Sequence, residues 1–291
     1  MKKLFALIAA VLMISPSLFA QPEGCPPIYG ISKMTFRISS PELAQSYYGD
    51  FLGFDHAFDY ESIYGPVLVY KISDRQFLEF LVVDQNVAEL GNVISTTFQT
   101  YDVDAMKAYL NSKGYETSEV QVDGAGNKVI TTHDDYGKLI EFADMNSSTL
   151  HAKSAGKFLS DRRISTHMIH SGLHRNQIEE SPRFWCEVLG FKELIRYPAD
   201  RTQPVELNYL FAPGSTENIE SLSSGPDAPR EANWEHPCLS VMNMQETLGI
   251  LRKRDPSLVL KPGVGRTGRW ILGIRNSDGT KVEFTEPFAT R

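Results

Sequence analysis

Short runs of β-branched, aliphatic and aromatic residues alternate along this chain with segments that carry helix start and stop signals. The first run, Ile31 to Ile38, predicts a strand. The segment from Pro41 to Phe51 predicts a helix, because Ser40 is a favourable N-cap, proline is tolerated in the first turn, and Gly53 follows where helices commonly end. Strands at 67–72 and 77–83 complete this unit, and a further strand around 55–60 would fit the pattern.

The same succession of a strand, a helix and several strands recurs three more times. Its last two strands, 270–275 and 280–285, are joined by Asn276-Ser277-Asp278-Gly279, a hairpin turn signal. The pattern therefore predicts an α+β fold of four tandem βαβββ modules. The other predicted strands are 94–101, 128–133, 138–143, 166–173, 194–197, 205–210, 218–222 and 236–241, and the other predicted helices are 103–112, 178–188 and 244–254.

One helix end is repeated almost literally. The segment 47–54 reads YYGDFLGF, the segment 184–191 reads FWCEVLGF, and their glycines Gly53 and Gly190 lie 137 residues apart. A repeat of that length predicts two copies of one domain, each made of two modules. We place the domains at 30–145 and 163–288, joined by a polar linker at 146–162.

The N-terminus has the pattern of a secretory signal peptide. Two lysines precede the apolar run from Leu4 to Ile14, and the segment ends on the small residue Ala20. We therefore expect residues 1–20 to direct export to the periplasm or the medium and to be removed. The proline-rich residues 21–29 predict an extended tail.

Composition limits the classes of partner. Hydrophobic residues make up 42% of the chain, which is enough for two domain cores. The formal net charge is −7 and no basic run is interleaved with aromatic residues, so nucleic acid is a poor partner. Three cysteines, Cys25, Cys186 and Cys238, do not make a disulfide framework, although one bridge would be compatible with an oxidising compartment.

Corresponding positions of the two domains carry different chemistry. In the second domain, each half contributes one histidine from its first strand and one glutamate from its last strand. In the first domain, a lysine and a threonine stand where the alignment places the histidines. The second-domain residues are His170, Glu220, His236 and Glu283, and the first-domain residues aligned with them are Lys33, Glu79, Thr97 and Glu141.

This difference predicts one metal site per chain. Two imidazoles with one or two carboxylates suit a single Fe²⁺, Mn²⁺, Ni²⁺, Co²⁺ or Zn²⁺ ion. Lysine has no lone pair to offer and threonine is a poor neutral ligand, so the first domain should hold no transition metal. Its Lys33 would instead pair with Glu79 or Glu141. Cys238 follows His236 by two residues and should share its face as small core filling.

The module order, the Leu-Gly-Phe helix ends and the closing Asp-Gly-x-x-Val-Glu-Phe at 278–284 resemble the vicinal oxygen chelate superfamily. This group includes glyoxalase I, bleomycin-resistance proteins and extradiol dioxygenases. The resemblance covers roughly residues 30–145 and 163–287. It implies two glyoxalase-like half-barrel domains, the first degenerate and the second carrying the metal.

Within this superfamily, two enzyme patterns compete. Extradiol dioxygenases use two histidines and one glutamate, matching His170, His236 and Glu283, but they also expect a histidine and a tyrosine before the last glutamate. Here 265–273 reads GRTGRWILG. The glyoxalase-like pattern fills all four positions, with a carboxylate, Glu220 or Glu283, acting as general base. We therefore favour a lyase or isomerase that stabilises an enediolate on a small oxygen-chelating substrate, rather than ring cleavage.

Other interpretations stay open. As in bleomycin-resistance proteins, the fold can bind a small molecule without catalysis, and such a protein would hold no stoichiometric metal. Arg266, Arg269 and Trp270 precede the last hairpin and would either close on an anionic or aromatic substrate or form a solvated loop anchored by the tryptophan. An exported enzyme would meet little glutathione, so a glutathione adduct is not the expected substrate. We expect a monomer or a homodimer.

Overall fold

The computed structural model describes residues 21–175, 177–223 and 234–287. The predicted signal peptide, residues 1–20, lies outside the described residues. No helix in the described part of the chain is both long enough and apolar enough to cross a membrane.

The first eight strands form one mixed sheet in the order β2-β3-β4-β1-β5-β8-β7-β6. Strand β1 pairs in parallel with β4 and antiparallel with β5, so the two modules meet at the centre of the sheet. The strands are β1 (Ile31–Ile38), β2 (Asp55–Ser62), β3 (Gly65–Ser73), β4 (Gln76–Val82), β5 (Val93–Gln99), β6 (Gln121–Val122), β7 (Lys128–His133) and β8 (Leu139–Asp144). The helices are α1 (Pro41–Ala44), which continues as a π-helix (Gln45–Phe51), α2 (Val87–Leu90) and α3 (Val103–Ser112).

The second sheet repeats this topology in the order β10-β11-β12-β9-β13-β16-β15-β14. Its strands are β9 (Met168–Arg175), β10 (Lys192–Tyr197), β11 (Leu207–Phe211), β12 (Asn218–Ser223), β13 (His236–Ser240), β14 (Gly263–Val264), β15 (Trp270–Arg275) and β16 (Lys281–Thr285). The remaining helices are α4 (Leu150–Lys153), a second π-helix (Arg183–Val188) and α5 (Met244–Arg254). The predicted α+β fold of two glyoxalase-like half-barrels is confirmed.

Two predicted elements differ from the observed ones. The helix predicted at 178–188 forms only from Arg183, because Pro182 has an extended backbone and disfavours helical geometry in the residue before it. The linker predicted at 146–162 contains helix α4, which Thr149 caps by accepting a hydrogen bond from the Ala152 amide. The linker thus includes a folded segment packed on the first sheet.

One continuous hydrophobic core joins the two domains. The ring of Phe98 on β5 lies 5.7 Å from that of Trp185 and 5.6 Å from that of Phe191, both in the third module. The side chain of Gln76 also spans the domains, donating to the Met168 carbonyl at 2.8 Å. Shared burial of large aromatic rings holds the second sheet in a defined position against the first.

Candidate metal centre

The four predicted ligands lie on the four central strands of the second sheet. His170 is on β9, Glu220 on β12, His236 on β13 and Glu283 on β16, and these strands are neighbours in the order β12-β9-β13-β16. One ligand atom from each residue lies within 4.8 Å of all the others. Residues up to 113 positions apart in the sequence therefore converge because the strands that carry them pair side by side.

The distances suit a shared cation. Nε2 of His170 lies 3.4 Å from Glu220 Oε2 and 3.9 Å from Glu283 Oε1. Nε2 of His236 lies 3.5 Å from an oxygen of each glutamate. Each imidazole thus faces both carboxylates across a gap longer than a good hydrogen bond. All four side chains are buried.

The unmet hydrogen-bonding capacity of the histidines fits a metal. Among the described residues, Nε2 of His170 and Nε2 of His236 are buried without a hydrogen-bond partner of standard geometry. Such orphaned atoms are rare in folded proteins unless a ligand completes them. Nδ1 of His236 lies 2.7 Å from the Trp234 carbonyl, which places the proton on Nδ1 and leaves Nε2 as the lone-pair donor.

Gly172 makes room for the ring of His236. The two residues face each other across β9 and β13. A Cβ at position 172 would lie 2.3 Å from Cε1 of His236 and 2.7 Å from both ring nitrogens. No larger residue fits without moving the imidazole, so glycine here is part of the site.

The pKa values of the predicted ligands also favour cation binding. Burial lowers the pKa of His170, which keeps this imidazole neutral. Burial alone would raise the pKa of Glu220, but the nearby imidazole of His170 outweighs burial and brings that pKa to about 2. Burial would also raise the pKa of Glu283, but its interactions with His236 and Lys281 outweigh burial and hold that pKa well below its usual range. A neutral imidazole at His170 beside ionised carboxylates is the form in which these groups bind divalent metals.

Two neighbours position the carboxylates. The hydroxyl of Tyr209 on β11 donates to Glu220 Oε1 at 2.7 Å, and Nζ of Lys281 donates to Glu283 Oε2 at 2.6 Å. Neither residue stands out in the sequence pattern. Strand alternation from Glu283 would have identified Lys281. Tyr209 can be identified only from its pairing with Glu220 across β11 and β12, which the sequence does not show.

A cavity of about 450 Å³ opens onto the centre. Apolar side chains of Leu207, Leu222, Val264 and Ile271 form part of its wall. His174 and Trp234 stack at 5.2 Å between ring centroids and add an aromatic surface. The polar lining includes Tyr209, Glu220, His236, Lys281, Glu283 and Arg266.

The three residues considered for substrate contact have different surroundings. Arg266 lines the cavity, half-exposed and 3.0 Å from Glu206. Arg269 is buried, with its guanidinium 5.2 Å from the centre of the Tyr209 ring, so it supports the tyrosine that contacts Glu220. Trp270 is 40% exposed and is not among the described residues that line this cavity.

In the first domain, an ammonium group occupies the equivalent position. Nζ of Lys33 lies 2.8 Å from Glu79 Oε2 and 3.2 Å from Glu141 Oε1, as the sequence predicts. Glu79 also accepts from the Tyr60 hydroxyl at 2.9 Å and lies 3.0 Å from Nε2 of His151. His151 comes from the linker helix α4, and its role was not foreseen because the sequence pattern shows only a polar linker.

The strand register corrects one alignment. Thr97 pairs with Lys33 and with Glu141, whereas in the second domain it is Cys238 that pairs with His170 and with Glu283. Thr97 therefore corresponds to Cys238, and the alignment of Thr97 with His236 was wrong by two residues. The residue equivalent to His236 is Ser95, which also lacks a strong metal ligand. Cys238 is fully buried on the face of the site, as predicted.

Known proteins share this architecture. Residues 167–284 match the Glyoxalase/Bleomycin resistance protein/Dioxygenase superfamily. No curated protein matches the sequence significantly. A mutant of homoprotocatechuate 2,3-dioxygenase from Brevibacterium fuscum is similar with a TM-score of 0.68 and 17% identity, covering 92% of this chain and 74% of the other.

Two further solved structures are similar to this chain. The 2,3-dioxygenase LapB from Pseudomonas sp. KL28 has a TM-score of 0.67 and 14% identity, covering 90% of this chain and 93% of its own. A Mn(II)-bound glyoxalase from Novosphingobium aromaticivorans has a TM-score of 0.67 and 16% identity, covering 90% and 83%. At these identities the likeness shows the fold. The superfamily match covers residues 167–284, within the second domain, and the first domain has the same fold.

Proposed function

We propose that this protein is a divalent-metal-dependent enzyme of the lyase or isomerase class, acting on a small substrate that carries two adjacent oxygen atoms. The observation that carries the proposal is the convergence of His170, Glu220, His236 and Glu283 within 4.8 Å at the end of a cavity. A cation held there would supply the positive charge that polarises both substrate oxygens. Fe²⁺, Mn²⁺, Ni²⁺, Co²⁺ and Zn²⁺ all suit this donor set.

The two glutamates are the candidates for moving a proton. Both line the cavity, so a carbon atom next to a polarised oxygen lies within reach of a carboxylate. Glu220 is oriented by the Tyr209 hydroxyl and Glu283 by the Lys281 ammonium. The tyrosine bonds Oε1 of Glu220, while Oε2 of the same carboxylate faces both histidines, and the lysine bonds Oε2 of Glu283, so a carboxylate that moves a proton would do so next to the cation. Leu207, Leu222, Val264 and Ile271 give the same space an apolar wall.

The number of donors favours proton transfer over ring cleavage. A cation that accepts roughly six ligands keeps about two positions once both histidines and both glutamates bind, which suits a substrate with two oxygens. Ring cleavage needs room for dioxygen as well. Two of the similar proteins named above are 2,3-dioxygenases and the third is a Mn(II)-bound glyoxalase, so ring cleavage is the alternative to test.

Metal content tests the proposal first. The purified protein should contain about one divalent ion per chain, lost in His170→Ala and in His236→Ala. His133→Ala changes an exposed histidine on β7 and serves as the matched control, which should keep its metal. If the wild-type protein holds no metal after growth and dialysis with each candidate ion, the proposal is wrong and the interpretation as a non-catalytic binding protein remains.

The reaction class needs a second measurement. The loaded protein should catalyse exchange of the carbon-bound hydrogen of α-hydroxyketones with deuterium in D₂O, followed by proton NMR, and Glu220→Gln or Glu283→Gln should reduce the rate by roughly 10²-fold or more. Oxygen uptake with catechols and a yellow product, in the absence of deuterium exchange, would establish the dioxygenase alternative instead.

We also propose that residues 1–20 direct export and are removed. The support is the sequence pattern of two lysines, an apolar run and a small residue at position 20. N-terminal sequencing of protein from a periplasmic fraction should begin near Gln21. Retention of Met1 in a soluble intracellular fraction would contradict this proposal.

A further inference from the structure

A lysine stands beside the metal ligands in the domain that has them and is missing from the domain that lacks them. Lys281 and Glu283 on β16 face the same side of the strand, and Lys281 lines the cavity. In the first domain, Glu141 corresponds to Glu283 by its pairing with Thr97, so Leu139 is the counterpart of Lys281. Leucine offers no charge at that place.

The strand next to Lys281 is adapted to its side chain. Gly273 on β15 pairs with Glu283, and a Cβ at position 273 would lie 2.9 Å from Cε of Lys281. The counterpart of Gly273 in the first domain is Thr131, which pairs with Glu141. The glycine and the lysine therefore occur together in the second domain and are replaced together in the first. This paired difference indicates that the path of the Lys281 side chain into the cavity is a specific feature of the second domain.

We propose that Lys281 is a specificity-determining residue that selects an anionic substrate; this inference rests on the proposed metal-dependent function. The two glutamates carry two negative charges, which a divalent cation neutralises. The ammonium of Lys281, 2.6 Å from Glu283 and 15% exposed, then leaves the loaded site with one positive charge in excess. In a partly buried cavity such a charge strongly favours a negatively charged ligand.

The surroundings of Lys281 define the ligand further. Its Nζ lies 6.0 Å from the centre of the Trp234 ring, on which His174 stacks. A ligand held between the cation and Lys281 would lie against this aromatic surface. The cavity therefore suits a carboxylate-bearing compound with two adjacent oxygens, such as an α-oxygenated acid, and a planar one in particular. Arg266, which is paired with Glu206, also lies at the wall.

Lys281 should also oppose the metal itself. Its ammonium is hydrogen-bonded to Oε2 of Glu283, the oxygen 3.5 Å from Nε2 of His236. A divalent cation bound by these two groups would be close to the ammonium and repelled by it. Removing the lysine charge should thus strengthen metal binding while weakening anion binding, two opposite effects that a loss of folding could not produce together.

Calorimetric titrations of the full chain with Mn²⁺, and of the Mn²⁺-loaded protein with oxalate, test this inference. Lys281→Met should bind Mn²⁺ about tenfold more tightly and oxalate about tenfold more weakly than wild type, as expected for loss of one nearby charge. Lys281→Arg should retain oxalate affinity within about threefold, since the charge is kept. Lys192→Met, an exposed lysine on the edge strand β10, is the matched control and should match wild type in both titrations.

The outcomes separate this inference from the proposed function. A wild-type protein that binds no Mn²⁺ overturns both. Wild-type binding of Mn²⁺ with unchanged oxalate affinity in Lys281→Met overturns the role of Lys281 and leaves the metal centre intact. Unchanged or weaker Mn²⁺ binding in Lys281→Met likewise overturns the charge argument, because it would show that Lys281 serves the site by holding Glu283 rather than by repelling the cation.

Discussion

Replacing Lys33 by methionine should strongly destabilise the first domain. The methionine keeps most of the apolar stem but removes the ammonium that lies 2.8 Å from Glu79 and 3.2 Å from Glu141. At an effective dielectric constant of about 20, each contact corresponds to roughly 5 kcal/mol of Coulomb attraction before desolvation is subtracted. Desolvation of Lys33 offsets much of this sum, and loss of one partner of a buried pair typically costs about 3–5 kcal/mol. We therefore expect a loss of about 3–5 kcal/mol in the free energy of unfolding at pH 7.

The pH dependence of this loss is a sharper test than its size. In the wild-type protein, burial alone would raise the pKa of Glu79, but Lys33 and His151 hold it well below its usual range. The stability from Glu79 is therefore present above about pH 4.5, the unfolded pKa, and is lost as the pH falls towards the folded pKa. In Lys33→Met the pKa of Glu79 should rise. Protonation of Glu79 at lower pH then removes the unpaired buried charge and recovers part of the lost stability. The stability gap between the two proteins should shrink steadily from pH 7 to pH 4.

Urea denaturation followed by tryptophan fluorescence and circular dichroism at pH 7, 5.5 and 4 measures both effects. Lys107→Met is the control, because Lys107 pairs with the exposed Glu119 and should cost less than about 1 kcal/mol. The double variant Lys33→Met, Glu79→Gln should recover part of the loss, since no buried carboxylate is left without its cation. A Lys33→Met protein as stable as wild type at pH 7, or a gap that does not change with pH, would refute the reasoning.

Three further predictions concern the second domain. Gly172→Ala should weaken Mn²⁺ binding by about 10–100-fold in calorimetric titrations. The added Cβ would lie 2.3 Å from Cε1 of His236 and must push the imidazole out of position. Unchanged affinity would show that the position of this ring does not matter. Tyr209→Phe should leave metal stoichiometry at one but reduce the deuterium-exchange rate about tenfold, since Glu220 loses its 2.7 Å hydrogen bond. Removal of the metal with a chelator should lower the thermal midpoint, and Mn²⁺ at about 100 times its Kd should restore about 2.7 kcal/mol; a midpoint that is indifferent to metal would contradict binding to the folded state.

Much of the architecture could be read from local patterns. The strand runs and helix signals predicted the order of elements because β propensity, capping and turn residues act over a few positions. The strand Ile31–Ile38 and the helices Val103–Ser112 and Met244–Arg254 agree with the prediction to the residue. The repeat at 47–54 and 184–191 established that two domains share one fold. Comparison of the copies then singled out the histidines and glutamates.

Other features depend on how distant strands pair, and local patterns carry no information about that. The two-residue error in aligning Thr97 arose because register is set by the hydrogen-bonded partners of β5, which lie far away in sequence. The insertion of His151 into the first domain depends on the path of the linker across the sheet. The contact of Tyr209 with Glu220 depends on the pairing of β11 with β12.

Residue types and their repeated spacing thus identified the fold and the four side chains able to bind a cation. The folded chain added what surrounds them: the space that Gly172 leaves for His236, the tyrosine and lysine that hold the carboxylates, and the cavity that opens onto them. The physical reason is that the type of a residue alone decides whether its side chain has an atom able to bind a metal. Its orientation, charge and access arise from neighbours that strand pairing and domain packing bring from elsewhere in the chain.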